Sequence, residues 1–120
     1  QGRLLCVFGC GGDRDVGKRP LMGQVAEKLA DTVYLTSDNP RSESPQQILE
    51  QIKRGMDDSM SVRVDADRRV AIETALHEAC PGDVVVIAGK GDEPYQLLAD
   101  GPIEFDDRLI AREVLKQAAQ

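Results

Sequence analysis

The feature that most constrains the fold is the alternation of short apolar runs with stretches of helical periodicity. The runs RLLCVF, TVYL, SVRVD and DVVVIAG begin at residues 3, 32, 61 and 83, and polar loops followed by helix patterns separate them. This order predicts an α/β fold with an open, mostly parallel sheet, right-handed crossovers and helices on both faces. Residues 95–105, YQLLADGPIEF, predict one antiparallel pair near the C-terminus.

Apolar patterning also predicts which parts of these elements are buried. The β-branched run DVVVIAG is typical of a strand buried on both faces, in the middle of a parallel sheet. In the first helix the expected buried stripe consists of Leu21, Met22, Val25, Ala26 and Leu29. In the third helix, within residues 67–79, it consists of Val70, Ala71, Thr74, Ala75 and Glu78. Ser44 is expected to cap the second helix, and Asp106 or Asp107 the last.

Length and charge narrow the class of protein. A chain of 120 residues has the size of one domain, so we predict that residues 1–120 form a single domain. A net charge of −6 lacks the basic footprint of a nucleic-acid binder, so we expect no nucleic-acid partner. No run approaches the roughly 18 apolar residues of a membrane span, and the start lacks signal-peptide features. We therefore expect a cytosolic protein with no membrane partner.

The cysteines and the histidine do not suggest a metal site. The chain has three cysteines, Cys6, Cys10 and Cys80, so they cannot all pair with one another. Neither a CxxC pair nor a Cys/His ligand set is present. We expect reduced, buried thiols and a structural role for the only histidine, His77.

Three loops follow the predicted strands at one edge of the sheet: residues 9–19, 36–44 and 89–94. Ligands of open α/β sheets bind beyond the carboxyl ends of the strands, so these loops are the candidate site. All three are rich in charged or turn-forming residues.

The first loop, GCGGDRDVGKR, has two imperfect nucleotide-binding patterns. A GxGxxG fingerprint starting at Gly9 would need a glycine where Arg14 stands. The P-loop pattern fits residues 12–18, but Arg19 replaces the hydroxyl that would bind Mg²⁺. The glycines are better explained by tight turns. Arg14 could instead clamp a ligand carboxylate or phosphate, whereas Lys18 and Arg19 either contact nucleotide phosphates or are simply exposed.

The tetrapeptide DNPR, residues 38–41, suits an amino-acid ligand. Pro40 stiffens the segment, Asp38 can accept from an ammonium group, Asn39 can donate or accept, and Arg41 can clamp a carboxylate. The alternative is that Asp38 and Ser42 only close a turn or cap the next helix.

The third loop, GKGDE, adds Gly89, whose backbone a ligand could approach, and the carboxylate of Glu93. A solvated turn is the alternative. The three loops together provide arginines and carboxylates for a molecule that carries both charges, but no nucleophile with its base, so we predict no catalytic residue and no metal ligand in this chain.

At these residues the sequence resembles a known family. It resembles the C-terminal domain of the Mur ligases in three segments that occur in this order and spacing: GCGGDRDVGKRPLMG, TSDNPR and AGKGDEPYQ. The tetrapeptide DNPR resembles that of the Mur ligases that select meso-diaminopimelate. The resemblance implies a Rossmann-like domain of a bacterial cytoplasmic ligase. That enzyme adds meso-diaminopimelate to UDP-MurNAc-L-Ala-D-Glu through an acyl phosphate, in peptidoglycan precursor synthesis.

The resemblance also implies the partners and the roles of the site residues. ATP and Mg²⁺ would be bound mainly by a central domain that this chain does not include, so the isolated domain is expected to be inactive. Arg14 and Arg41 would grip the diaminopimelate carboxylate. The distal ammonium group would be held by Asp38, Asn39, the Gly89 backbone and Glu93, with Pro40 stiffening the loop.

Other functions stay open at this point. Asp92 replaces the histidine usual in the family motif GKGHE, and Pro94 follows Glu93, so a related ligase with an altered substrate is one alternative. A stand-alone amino-acid-binding module is another. A dinucleotide-dependent oxidoreductase is disfavoured by Arg14, which stands in the place of a required glycine.

Overall fold

The computed structural model describes residues 2–12, 16–57, 62–88, 95–98 and 100–118, in which strands and helices alternate. The strands are β1 (Leu4–Phe8), β2 (Thr32–Leu35), β3 (Val62–Val64), β4 (Val84–Ile87), β5 (Tyr95–Leu98) and β6 (Gly101–Glu104). The helices are α1 (Lys18–Leu29), α2 (Pro45–Lys53), α3 (Arg68–Glu78) and α4 (Asp107–Ala118). No described helix is long and apolar enough to span a bilayer.

Strands β1 to β4 form one parallel sheet in the order β3-β2-β1-β4, and β5 pairs with β6 in an antiparallel hairpin. The predicted fold class, with its antiparallel pair near the C-terminus, is confirmed. Because the chain moves outward from β1 to β3 and then returns to the other side of β1, the strand order reverses at β1. The loops after β1, β2 and β4 all leave the carboxyl edge of this sheet, where ligands bind in such folds.

Side-chain caps begin three of the helices. Ser44 accepts a hydrogen bond from the amide of Gln47 at 3.4 Å, as predicted for α2. Asp67 accepts from two amides at the start of α3. Asp106, rather than Asp107, caps α4, since its Oδ1 accepts from the amide of Arg108 at 2.9 Å.

Each face of the sheet has its own apolar core. On one face α3 and α4 pack on β1 and β2, with Leu5, Val7 and Ile72 fully buried. On the other face α2 packs on the sheet through Ile48 and Ile52. Helices therefore cover both faces, as the alternation of strands and helices predicts.

Strand β4 lies at the edge of the described sheet, which corrects the prediction that it is buried on both faces. It pairs with β1 and with no other described strand. Val84 is 57% exposed and Val86 is 42% exposed. A β-branched run indicates a strand but does not distinguish an edge from a centre, because that depends on the neighbouring segments.

Helix α1 exposes most of its apolar stripe, which corrects a second prediction, although Ala26 is half-buried against the core as predicted. Leu21, Val25 and Leu29 are more than half exposed and border an open apolar groove between α1 and β4. The helix packs instead on α2 through Gly23, where a Cβ would lie 2.3 Å from Ile52 O. Helical periodicity identifies an apolar face but not the segment that covers it.

Helix α3 buries a face that differs from the predicted one. Ala71 and Ala75 are buried as expected, but Val70 is 39% exposed, and Ile72 is buried. Arg68, at the start of the helix, is buried as well. The buried face therefore includes a charged group, which apolar periodicity does not register.

Candidate functional site

The loops that follow β1 and β2 meet at the carboxyl edge of the sheet. Because α1 begins at Lys18, the first loop comprises residues 9–17 in the structure, and we call residues 36–44 the DNPR loop. The amide of Thr36 donates to Phe8 O at 3.0 Å, and the amide of Gly12 donates to Asn39 O at 2.7 Å. Backbone hydrogen bonds thus join the start of the DNPR loop to the end of β1, and Asn39 of the DNPR loop to Gly12 of the first loop.

Two glycines allow these loops to touch backbone to backbone. A Cβ at Gly9 would lie 2.0 Å from Thr36 O, and one at Gly12 would lie 1.8 Å from Pro40 O. Both distances are far below van der Waals contact, so neither position accepts a side chain unless a loop moves. Close approach between loops is a reason for these glycines that requires no bound phosphate.

We expect the substitution Gly12→Ala to separate the first loop from the DNPR loop. The added methyl group would overlap Pro40 O, and relieving that overlap breaks the hydrogen bond from Gly12 to Asn39. The free energy of unfolding, measured by urea denaturation of the 120-residue chain, should fall by about 2 kcal/mol.

Gly17 provides the matched control, because it is exposed and its φ of −64° suits alanine. Gly17→Ala should change the free energy of unfolding by less than about 0.5 kcal/mol. Equal effects of the two substitutions would show that loop contact at Gly12 is not the cause.

Arg41 adopts a left-handed backbone conformation, with φ of +51°. The amide of Glu43 donates to Pro40 O at 3.0 Å and closes the turn around it. This conformation costs a residue with a Cβ about 1 kcal/mol. Such strained positions cluster at ligand sites, where the direction of a side chain matters.

One edge of the Arg41 guanidinium is anchored to the backbone of both loops. Its Nη1 donates to Gly12 O at 3.0 Å and to Asn39 O at 3.4 Å. Its Nε and Nη2 have no hydrogen-bond partner among the described residues. These two nitrogens form one of the forks through which a guanidinium binds a carboxylate with two parallel hydrogen bonds. The group is therefore held in place, and its carboxylate-binding edge meets no acceptor in the described part of the chain.

Asp38 and Asn39 precede Arg41 in the same turn. Asn39 is buried, and Asp38 is half-buried. The Asp38 carbonyl accepts a hydrogen bond of 2.7 Å from Nε2 of Gln96, a buried side chain of β5. The hairpin thereby supports the DNPR loop. The sequence analysis did not identify Gln96 as a site residue. Its place as the last residue of the motif AGKGDEPYQ is the signal that could have identified it.

Three predicted site residues, Arg14, Gly89 and Glu93, lie outside the described residues, and their roles stay predictions. Ala88 is described, and its amide donates to Val7 O at 2.9 Å. The segment that contains Gly89 and Glu93 therefore starts at the same edge of the sheet as the other two loops.

Arg19 is buried in an ion pair, which corrects the expectation of an exposed side chain, while its predicted phosphate contact stays a prediction. Its side chain is 1% exposed and donates to both carboxylate oxygens of Glu43, at 2.9 and 2.8 Å. It also donates to Gln51 Oε1 at 2.7 Å and to Gly11 O at 2.9 Å. Arg19 therefore links the first loop, the DNPR loop and α2. Lys18 is exposed, and its predicted phosphate contact stays a prediction.

The first loop does not fit the Mg²⁺-nucleotide site of a P-loop. Arg19 occupies the position of the metal-binding hydroxyl, and its guanidinium bonds to Gly11 and Glu43. Within the described ranges no three His, Cys, Asp or Glu side chains are grouped so that they could hold a metal ion. We therefore assign no step of a reaction to a nucleotide or metal bound at this loop.

The thiol of Cys10, in the first loop, is a weak nucleophile. Burial raises its pKa to about 11, and the charges of Arg19 and Asp38 act on the pKa in opposite directions. The thiol is therefore protonated at neutral pH. All three cysteines are free, but the prediction of buried thiols holds for Cys10 alone, because Cys6 is half-buried and Cys80 is exposed.

Comparisons with known proteins agree on one family. The family model described as "Mur ligase, glutamate ligase domain" matches residues 1–91. A UDP-N-acetylmuramoyl-L-alanyl-D-glutamate–2,6-diaminopimelate ligase from Prochlorococcus marinus is 58% identical over 115 residues, covering 96% of this chain and 23% of the relative. The ligase of the same name from Syntrophomonas wolfei is 57% identical over 116 residues, which cover 95% of this chain and 24% of the relative.

A solved structure of a ligase with this name superposes on the whole chain. The TM-score is 0.95 at 46% sequence identity, and the match covers 100% of this chain and 25% of that one. The chain thus spans about a quarter of the length of the proteins that it matches.

Proposed function

Because the chain belongs to the Mur ligase family, we propose that it is the amino-acid-binding C-terminal domain of a ligase that adds meso-diaminopimelate to UDP-MurNAc-L-Ala-D-Glu. The ligase would act in the bacterial cytoplasm, in the synthesis of peptidoglycan precursors. Its other partners would be ATP, Mg²⁺ and its own central domain, which binds them. The relatives' names support this assignment, as does the DNPR motif through the resemblance described above.

The observation that carries the proposal is the anchored guanidinium of Arg41. Its Nη1 is bound to Gly12 O and Asn39 O, while the edge formed by Nε and Nη2 has no partner among the described residues. meso-Diaminopimelate carries an amino-acid group at each end, so its distal carboxylate matches this edge. Asp38 and Asn39, in the same turn, are the groups we assign to the distal ammonium, together with Gly89 and Glu93.

This arrangement discriminates against lysine by charge. Lysine has the same ammonium group at its far end but no carboxylate beside it, so Arg41 would be desolvated without its anionic partner. A site built to bind a polar group rejects the analogue that lacks it, because the group left unpaired loses its solvation. Selectivity then depends on a buried charge pair rather than on the length of the ligand.

The contribution of this domain to the reaction is to bind and orient the amino acid. ATP bound by the central domain would supply the γ-phosphoryl group that activates the dipeptide carboxyl group as an acyl phosphate, with ADP as leaving group, and phosphate would leave when the amine attacks. By gripping the distal end of diaminopimelate, the DNPR loop leaves the proximal amino group free to reach that carboxyl group. Holding the two reactants in the correct relative orientation itself accelerates the reaction, because it removes the entropy cost of aligning them.

The proposal is tested with the full-length protein, ATP, Mg²⁺ and UDP-MurNAc-L-Ala-D-Glu, with product measured by mass spectrometry. We expect tripeptide product with meso-diaminopimelate, and at least a hundredfold lower kcat/KM with L-lysine. Equal use of lysine would indicate a related ligase with an altered substrate. Tight binding of diaminopimelate by the 120-residue chain, with no ligation by the full-length protein, would indicate a stand-alone binding module.

A further inference from the structure

Arg68 is an arginine of α3 that lies almost entirely inside the protein. The residue is 1% exposed, and its side chain is fully buried. Its Nε donates to Asp107 Oδ1 at 2.8 Å and its Nη2 donates to Asp107 Oδ2 at 2.7 Å. This bidentate ion pair joins the first residue of α3 to the first residue of α4.

The same guanidinium also holds two strand ends at the candidate site. Nη1 donates to Ser37 O at 3.0 Å, and Nη2 donates to Ala88 O at 3.2 Å. Ser37 directly precedes Asp38 of the DNPR loop, and Ala88 directly precedes Gly89. One rigid, planar group therefore fixes the backbone from which two of the three predicted binding segments leave the sheet.

We propose that Arg68 is a positioning residue for the distal end of diaminopimelate, an inference that rests on the proposed function of the site. It touches no ligand atom. Its role is to set the separation between the segment that begins at Asp38 and the segment that begins at Gly89. In the proposed function, groups from both segments bind one ammonium, and small displacements of such groups weaken binding strongly.

The chemistry of arginine accounts for its use here. A guanidinium has five N–H donors in a fixed plane, so it can bind one carboxylate through two atoms and still reach two carbonyl groups. A lysine ammonium has three donors on a flexible stem and cannot span the same four acceptors. A buried ion pair is also a poor source of stability, because desolvation offsets much of its attraction. A positioning role therefore explains this buried ion pair better than a contribution to stability does.

The test uses two variants of the full-length ligase. Arg68→Lys keeps the charge opposite Asp107 but loses the planar fork. The double variant Arg68→Met/Asp107→Leu removes both charges, and such apolar replacements of buried pairs are often neutral for stability. The control is Arg69→Lys, since Arg69 is the next residue and makes only exposed ion pairs with Glu73 and Glu113 among its described partners.

For both Arg68 variants we expect the KM for meso-diaminopimelate to rise about tenfold or more. The KM values for ATP and UDP-MurNAc-L-Ala-D-Glu should stay within about twofold of the wild type, and Arg69→Lys should leave all three unchanged. Melting temperature is recorded for each variant, so that loss of fold is distinguished from loss of binding.

Two results would overturn the proposal: an unchanged KM for diaminopimelate in both variants, or an equal rise of all three KM values together with a lower melting temperature. These results differ from failure of the proposed function itself, in which the wild-type ligase would not use diaminopimelate at all. A folded wild type that uses diaminopimelate, with Arg68 variants that bind it equally well, would remove only the role of Arg68.

Discussion

Replacing Arg41 with alanine in the full-length ligase should lower kcat/KM for meso-diaminopimelate by about two to three orders of magnitude. The variant loses both hydrogen bonds of the Nε–Nη2 fork to the distal carboxylate. Charged hydrogen bonds contribute about 1.5–3 kcal/mol each, so the loss of two accounts for an effect of this size. The kinetic constants for ATP and for UDP-MurNAc-L-Ala-D-Glu should change little, because the domain binds neither at this loop in our account.

Arg41→Gly separates this effect from any loss of stability. Both variants lose the Nη1 hydrogen bonds to Gly12 O and Asn39 O, but the φ of +51° is strained for alanine and relaxed for glycine, so Arg41→Gly should be more stable than Arg41→Ala by about 1 kcal/mol. Its kcat/KM for diaminopimelate should nevertheless fall as far as that of Arg41→Ala. If the glycine variant kept its activity, the guanidinium of Arg41 would not be the group that recognises the distal carboxylate of the substrate.

The second large effect concerns Arg19 and is expected in stability. Arg19→Met should lower the free energy of unfolding of the 120-residue chain by about 3 kcal/mol, because Glu43 loses two charged hydrogen bonds from the Arg19 guanidinium. The Gln51 side chain and the Gly11 carbonyl would also lose a donor. Denaturation in urea measures the change.

Lys18→Met is the matched control, since Lys18 is exposed at the start of the same helix. Its effect on stability should be below about 0.5 kcal/mol. In the full-length ligase, a rise in the KM for ATP with Lys18→Met would support the predicted phosphate contact of Lys18. If Arg19→Met instead raised the KM for ATP and left the free energy of unfolding unchanged, that result would contradict the structural role that we assign to Arg19.

The order of elements and the fold class could be predicted from sequence because they depend on local patterning. The apolar runs became β1 to β4, and Gly101 allowed the predicted C-terminal hairpin, with a φ of +117°. Caps at Ser44 and Asp106 were likewise local, since each needs only a polar side chain before a helix pattern.

Burial could not be predicted in the same way. Val84 and Leu29 belong to strongly apolar patterns yet are more than half exposed, because no described segment covers them. Conversely, the buried arginines Arg19 and Arg68 gave no apolar signal. Their positions depend on partners about 24 to 39 residues away in the chain, Glu43 and Asp107, and sequence patterning does not pair distant charges.

The candidate site was also only partly predictable from the sequence. DNPR was identifiable because proline, amide and opposite charges follow a strand in four residues, and the structure places it against the first loop. The contacts that hold it there were not identifiable. They come from the backbone carbonyls of Gly12 and Asn39 and from the Arg68 guanidinium, which donates to Ser37 O, and a carbonyl acceptor carries no sequence signal. Gln96 is the exception, because its place at the end of the motif AGKGDEPYQ could have identified it.

The most direct measurement is a competition assay, in which the full-length ligase receives meso-diaminopimelate and L-lysine at equal concentrations and the two products are counted by mass spectrometry. We predict that the wild type makes almost only the diaminopimelate product and that Arg41→Ala reduces the product ratio by at least a hundredfold. A ratio that is the same in the wild type and in Arg41→Ala would show that the DNPR loop does not recognise the distal carboxylate.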